Sequence, residues 1–116
     1  MEPRDTQHGR TALAFAQALV DGRFHEAQLM LSPLLRERIS AEDLESEYSE
    51  MIEYGDGPAD FVDVMNELKD WPAKRPGDVG WAYAAISGPG YSEAVAVVVA
   101  DEGGQSLIRE IEWGRP

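Results

Sequence analysis

The chain contains no cysteine and few basic residues: 10 lysines and arginines stand against 22 aspartates and glutamates. The absence of thiols excludes disulfides, thiolate metal sites and cysteine nucleophiles. The formal net charge of −12 repels both a phosphate backbone and an anionic membrane, so we expect neither as a partner. Eleven of the acids lie between Glu42 and Asp70, where Lys69 is the one base. This stretch predicts either a solubilising face or a docking surface for a basic protein partner.

Histidine and long apolar runs are also scarce. His8 and His25 do not have the spacing of a metal-binding pair, and no phosphate-loop signature is present, so we expect no metal and no cofactor. The first apolar run, Ala12–Val20, is too short to span a bilayer. The charged start of the chain, Met1–Asp5, does not resemble a signal peptide. Together with the lack of cysteine, these features predict a cytoplasmic protein.

Apolar spacing and capping residues predict three helices in the first half of the chain. The predicted helices are Thr11–Asp21, Arg23–Leu31 and Ala41–Tyr54, with a further turn over Pro33–Arg38. Ser40 and Asp43 form a capping box at the start of the third helix. Residues 1–10 carry no periodic pattern and are predicted to be a flexible N-terminus, so a single domain is expected over residues 11–116.

The second half of the chain predicts an antiparallel meander. Its strands are Val79–Ser87, Tyr91–Ala100 and Ser106–Trp113, joined by short glycine-containing turns. Residues 60–70 are ambiguous, because Phe61, Met65 and Leu68 have helical spacing whereas Val62 and Val64 favour a strand. The fold class is therefore α+β, with three N-terminal helices packed on a bent antiparallel sheet of about four strands.

The strand Tyr91–Ala100 is apolar on both faces of the predicted sheet. Val95, Val97 and Val99 point to one face, and Val98 and the intervening alanines point to the other. Three helices cover only one face, and the pattern leaves open which face that is. We predict a homodimer that buries the second face, with Val95, Val97 and Val99 as candidate interface residues.

The order of these elements resembles the nuclear transport factor 2-like superfamily over residues 11–113. The resemblance is carried by Asp21-Gly-Arg-Phe24, Ala27, Leu31-Ser-Pro-Leu-Leu35 and Ser40-Ala-Glu-Asp-Leu44, followed by the meander. It implies a cone-shaped α+β domain of the cystatin-like type. One sheet face then packs on the helices and the other pairs with a second subunit. It also favours a strand over residues 60–70.

Superfamily isomerases combine a carboxylate base with a tyrosine and a protonated acid. The resemblance implies Tyr48, Tyr83 and Tyr91 near the cone, with Asp60 and Asp63 at its mouth. No residue pair matches a catalytic motif, so no catalytic residue is assigned.

Several aromatic residues are candidates for a small-molecule pocket, with ordinary core packing as the alternative. The pocket candidates are Phe15, Tyr48, Trp81, Tyr83 and Trp113. On the last strand, Arg109 interrupts an apolar face. A buried arginine needs an acidic partner, and we predict Glu93 on the adjacent strand.

The sequence therefore favours a small acidic binding module without catalytic activity that acts as a homodimer. A protein that neutralises a basic partner such as a toxin is one concrete form of this hypothesis. The alternative is an isomerase- or cyclase-like enzyme with a carboxylate and a tyrosine in the cone. A cone filled by Phe15, Tyr48 and Trp81 would favour the binding module, and an enclosed cavity would favour the enzyme.

Overall fold

The protein is an α+β domain in which helices cover one face of a four-stranded antiparallel sheet. The computed structural model describes residues 2–55 and 57–114. Met1, Asp56, Arg115 and Pro116 lie outside the described residues, so the ends of the predicted N-terminal segment and of the domain are not covered. The predicted fold class is confirmed.

Two of the four α-helices among the described residues begin immediately after the capping residues predicted from the sequence, Ser32 and Ser40. The helices are α1 (Gln7–Val20), α2 (Phe24–Leu29), α3 (Pro33–Arg38) and α4 (Ala41–Ile52). The Ser32 hydroxyl accepts a hydrogen bond from Leu35 N at 3.3 Å, and Ser40 and Asp43 form the predicted capping box. Within residues 2–55 and 57–114, no helix is long and apolar enough to cross a bilayer.

The first helix begins four residues earlier than its apolar spacing predicts, and Pro3–Asp5 forms a short 3₁₀ turn before it. The Thr6 hydroxyl caps the helix by accepting a hydrogen bond from Gly9 N at 2.9 Å. His8 lies in the first turn and is buried against the sheet. Residues 3–5 and 7–10 are therefore helical where the sequence predicts a flexible segment, because one extra turn is too short to show a period.

The sheet is a meander with strand order β1-β2-β3-β4. Its strands are β1 (Phe61–Leu68), β2 (Asp78–Gly88), β3 (Tyr91–Glu102) and β4 (Gln105–Trp113). Residues 60–70 thus contain a strand, as the resemblance favoured and periodicity did not. Register shifts at Met65, Val79 and Arg109 interrupt the ladders, and such bulges bend a sheet.

The hydrophobic core lies between the helices and one face of the sheet. Its helical side is built by Phe15, Leu19 and Leu44, which are fully buried. Its sheet side is built by Ala82, Ala84, Ile86, Val95, Val97, Val99 and Ile108. These residues are cross-strand neighbours, because Ala82 pairs with Val97 and Ala84 with Val95. The odd-numbered residues of β3 therefore face the helices.

The buried His8 ring packs directly on the backbone of Gly80, and its Nε2 lies 2.5 Å from Glu67 Oε2. A Cβ on Gly80 would lie 2.3 Å from His8 Cγ. We expect Gly80→Ala to lower the free energy of unfolding by about 1–3 kcal/mol, because the ring must move. Adding His8→Ala should recover part of that loss. Urea denaturation of both single variants and the double variant measures the coupling, and strictly additive effects would contradict this contact.

Candidate functional site

The face of the sheet opposite the helices is the candidate functional site, and we call it the uncovered face. Side chains of paired residues point to the same face of a sheet. Val98 pairs with Trp81 on one side and Glu110 on the other, and Ala96 pairs with Tyr83 and Glu112. The uncovered face is therefore the even-numbered side of β3.

This assignment corrects the predicted interface residues. Val95, Val97 and Val99 lie in the core beneath the helices and are at most 1% exposed, so they are not available to a second subunit. Alternation along β3 placed these valines together on one face, but both faces of the strand are apolar. Only the packing of α1 on the sheet distinguishes the two.

The central strand of the uncovered face is shielded by side chains from its neighbours. Ala94, Ala96, Val98 and Ala100 are at most 7% exposed. Trp81 and Tyr83 stand beside them on β2, with ring centroids 6.3 Å apart, and both remain half-buried. Large side chains that flank small ones thus cover part of the face within one chain.

The exposed apolar surface lies on the β1–β2 side of the face, which we call the apolar half. Phe61 is 46% exposed and Leu68 is 40% exposed, and Leu68 pairs directly with Trp81. On β2, Ala85 lies on this face between Tyr83 and Ser87, and Ser87 pairs with Phe61. Met65, at the bulge of β1, is 56% exposed. Clustered exposed side chains of this size are typical of a binding surface.

The β4 side of the same face is acidic, and we call it the acidic half. Glu110 and Glu112 are exposed and project from the face beside Val98 and Ala96. Strands β1, β2 and β3 contain no lysine or arginine, and Arg109 of β4 is engaged by an aspartate of β2. The face is therefore largely apolar on one side and negative on the other, although Asp63 lies on the apolar side and Arg109 Nη1 lies 3.6 Å from Glu110 Oε1.

Both edges of the sheet are protected against strand addition. On β1, the amide of Val64 donates to Asp63 Oδ1 at 2.8 Å and the amide of Glu67 donates to Asn66 Oδ1 at 2.9 Å. On β4, Ile108 exchanges backbone hydrogen bonds with the segment 30–32, at 2.7 and 2.9 Å. Bulges and satisfied edge groups prevent pairing with another strand. A partner that binds the sheet therefore approaches its face.

The five predicted pocket residues are not brought together. Phe15 and Tyr48 lie in the core, where the Tyr48 ring packs 6.1 Å from that of Phe24. Trp81 and Tyr83 lie on the uncovered face. Trp113 is half-buried at the end of β4 and lines a groove of about 370 Å³ beside α4. Trp81 therefore does not fill the cone, although Phe15 and Tyr48 do.

Of the tyrosines and carboxylates in the enzyme hypothesis, Tyr48, Tyr91 and Asp60 lie on one side of the sheet, and Tyr83 lies on the other. Burial raises the pKa of Tyr48 to about 12, whereas Tyr83 stands on the opposite side of the sheet. Burial, and then the charge of Asp60, raise the pKa of Tyr91, whose buried hydroxyl has no hydrogen-bond partner among the described residues. The Asp63 carboxylate accepts a hydrogen bond from Val64 N.

The acidic stripe of α4 lies on the helical layer, away from the uncovered face. Its glutamates are all exposed, as predicted: Glu42, Glu45, Glu47, Glu50 and Glu53. No lysine or arginine interrupts the helix. The stripe is therefore a second negative surface of the molecule.

Arg109 pairs with Asp78 and not with the predicted Glu93. Its Nε and Nη2 donate to the two Asp78 oxygens at 2.6 and 2.7 Å, and the Asp78 side chain is 1% exposed. Glu93 instead accepts a hydrogen bond from the Tyr54 hydroxyl at 2.6 Å. The sequence signalled a partner for Arg109, but the bulges at Val79 and Arg109 decide which acid reaches it.

The ion pair lies in a groove that the sequence did not predict. The groove has a volume of about 550 Å³ and lies between α3, the β1–β2 loop and the β3–β4 hairpin. Leu34, Leu35 and Ile111 contribute apolar surface to its walls. Three arginines and four acids line it, so its charges nearly balance.

Comparison of the chain with protein-family models gives no match, and comparison with curated proteins gives no relative. Fold and surface define an α+β protein with one uncovered, amphipathic sheet face.

The Asp78–Arg109 pair should make stability depend on pH. Hydrogen bonds from Arg109 hold the pKa of Asp78 below its ordinary value. A lowered folded-state pKa gives stability that is present above the unfolded pKa, about 3.9, and is lost as the pH falls through the folded pKa. We expect Asp78→Asn to cost about 2–3 kcal/mol at pH 7 and progressively less below pH 4.

Glu110→Gln is the matched control for this experiment. Glu110 Oε1 lies 3.6 Å from Arg109 Nη1, but its side chain is 61% exposed, so its loss should cost under about 0.5 kcal/mol. Urea denaturation between pH 3 and pH 7 measures both variants. Equal losses for the two variants at pH 7 would contradict a special role for Asp78.

Proposed function

We propose that this protein is a non-catalytic protein-interaction module that forms a homodimer through the apolar half of its uncovered face. The observation that carries the proposal is the apolar surface on β1 and β2, where Phe61 and Leu68 are exposed and Trp81 and Tyr83 are half-buried. A monomer rarely leaves such a cluster in water. A typical specific interface would bury about 800 Å² on each subunit.

A second copy fits this surface because an isologous interface must be complementary to itself. An apolar surface satisfies that condition without any charge pairing. The protected edges of β1 and β4 support face-to-face contact and disfavour a continuous sheet across two subunits.

We also propose that the chain belongs to the nuclear transport factor 2-like superfamily. The support is the order of its elements, with helices first and a bulged antiparallel meander after them. The enzyme alternative has less support, since Tyr48 and Tyr83 lie on opposite sides of the sheet.

The dimer is tested by two matched leucine substitutions. Leu68→Glu places a carboxylate in the apolar half and should weaken dimerisation roughly 30-fold or more, equivalent to about 2 kcal/mol. Leu34→Glu adds the same charge to α3, where the leucine is 66% exposed and lies outside the apolar half, in the groove that Glu110 also lines. It should change the dimer dissociation constant less than about twofold, because it leaves the contact intact.

Sedimentation equilibrium measures both constants, and circular dichroism checks that each variant is folded. An unmodified chain that remains a 12.8 kDa monomer at tens of micromolar would refute the homodimer. Equal weakening by the two variants would show that charge, and not position on the uncovered face, governs association.

A second candidate function is the neutralisation of a basic protein, supported by the exposed glutamates of α4. Attraction between a basic protein and this stripe should give an association rate that falls as salt rises. Stopped-flow mixing with the basic partner at several salt concentrations measures this dependence. Glu45→Gln together with Glu50→Gln should slow association, whereas a salt-independent rate would exclude an electrostatic docking surface.

A further inference from the structure

We propose that the two subunits are offset, so that only their apolar halves overlap and their acidic halves lie on opposite outer sides of the dimer. The two-fold axis then runs parallel to the strands, between the stacked faces and over β1 and β2. This inference rests on the proposed homodimer and specifies which part of the uncovered face it uses.

A two-fold axis that is parallel to the strands and lies over the middle of the sheet, between β2 and β3, is disfavoured because it buries charge. It would place Glu110 of one subunit over Leu68 of the other, and Glu112 over Asn66. Both carboxylates would lose water, and strands β1 to β3 supply no lysine or arginine to pair with them. Arg109 of the same subunit lies 3.6 Å from Glu110, but it is already bound by both oxygens of Asp78. A buried unpaired charge is strongly unfavourable.

An axis that runs across the strands is disfavoured by repulsion. It would stack each β4 on the β4 of the second copy. Glu110 and Glu112 of both subunits would then face one another across about 10 Å. No described base on β1, β2 or β3 would relieve that repulsion.

The offset arrangement lowers both costs, because Asp63 is then the acid in the overlap and Glu110 and Glu112 lie outside it. The apolar half of each copy covers the same half of the other, including Leu68, Trp81 and Tyr83. Val98 and Ala96 at the centre need no complete cover, since side chains of their own subunit already shield them. Asp63, the acid of β1 on this side, has a carboxylate that is hydrogen-bonded to Val64 N.

One cross-strand row allows a direct distance test. Asn66, Tyr83, Ala96 and Glu112 pair in succession from β1 to β4, so Asn66 and Glu112 stand at the same level along the strands. The chain has no cysteine, so Asn66→Cys and Glu112→Cys each accept a single spin label per subunit. Dipolar broadening of the continuous-wave spectrum measures a short distance between the two labels of a dimer, and double electron–electron resonance measures a long one.

The offset predicts a short distance for Asn66→Cys and a distance about 15 Å longer for Glu112→Cys, given about 4.8 Å between strands and about 10 Å between sheets. Equal distances would overturn the offset while leaving the homodimer intact, because both the centred axis and the cross-strand axis give equal values. A longer distance for Asn66→Cys would place the acidic halves together and would also overturn it. The absence of dipolar coupling in the labelled and folded chains would overturn the homodimer itself.

Sedimentation of each labelled variant confirms that the label leaves the dimer in place. If the label at Asn66 dissociates the dimer, Lys69→Cys, immediately beyond the end of β1, reports from the same edge of the sheet, next to the start of α1. The same ordering of distances is expected for Lys69→Cys and Glu112→Cys.

Discussion

The central constraint on this protein is that one layer of helices must serve a sheet whose central strand is apolar on both faces. The helices bury Val95, Val97 and Val99 with Phe15 and Leu19 in a single core. The opposite side of the same strand receives no helix. The surface of the sheet depends on how that second face is covered.

On the second face, the size and charge of the side chains determine which surface stays exposed to water. Small residues of β3 stand between large residues of β2 and long acidic residues of β4, so the centre of the face is nearly dry within one subunit. The apolar surface that remains exposed is displaced to β1 and β2, where Leu68 and Trp81 pair. An apolar half and an acidic half therefore share one face.

The bulges determine how the chain satisfies its polar groups. The register shifts at Val79 and Arg109 bring Asp78 and Arg109 into a bidentate contact although they come from strands that are not adjacent. The bulge at Met65 interrupts β1, whose amides at Val64 and Glu67 are met by neighbouring side chains. The same irregularities bend the sheet, hold its buried charge and close its edge.

Local sequence alone determined much of the fold. Ser32, Ser40 and Asp43 specify helix starts because their side chains bond to amides within three residues, and the glycine-containing turns specify the meander because hairpins are local. The exposed glutamates of α4 were also predictable, since they lie mostly off its apolar stripe.

The tertiary structure decided between alternatives that side-chain alternation and residue spacing do not distinguish. Strand β3 is apolar on both of its faces, so its sequence does not show which face lies in the core. The packing of α1 shows that valines 95, 97 and 99 lie in the core and that Trp81 and Tyr83 point to the opposite face. The partner of Arg109 depends on two register shifts that no local pattern encodes. The first turn of α1 is capped locally by Thr6, and it also places His8 against Gly80, which is distant in sequence. Local hydrogen bonds and side-chain periods can be read along the chain, whereas the choice between two similar faces depends on contacts that exist only after folding.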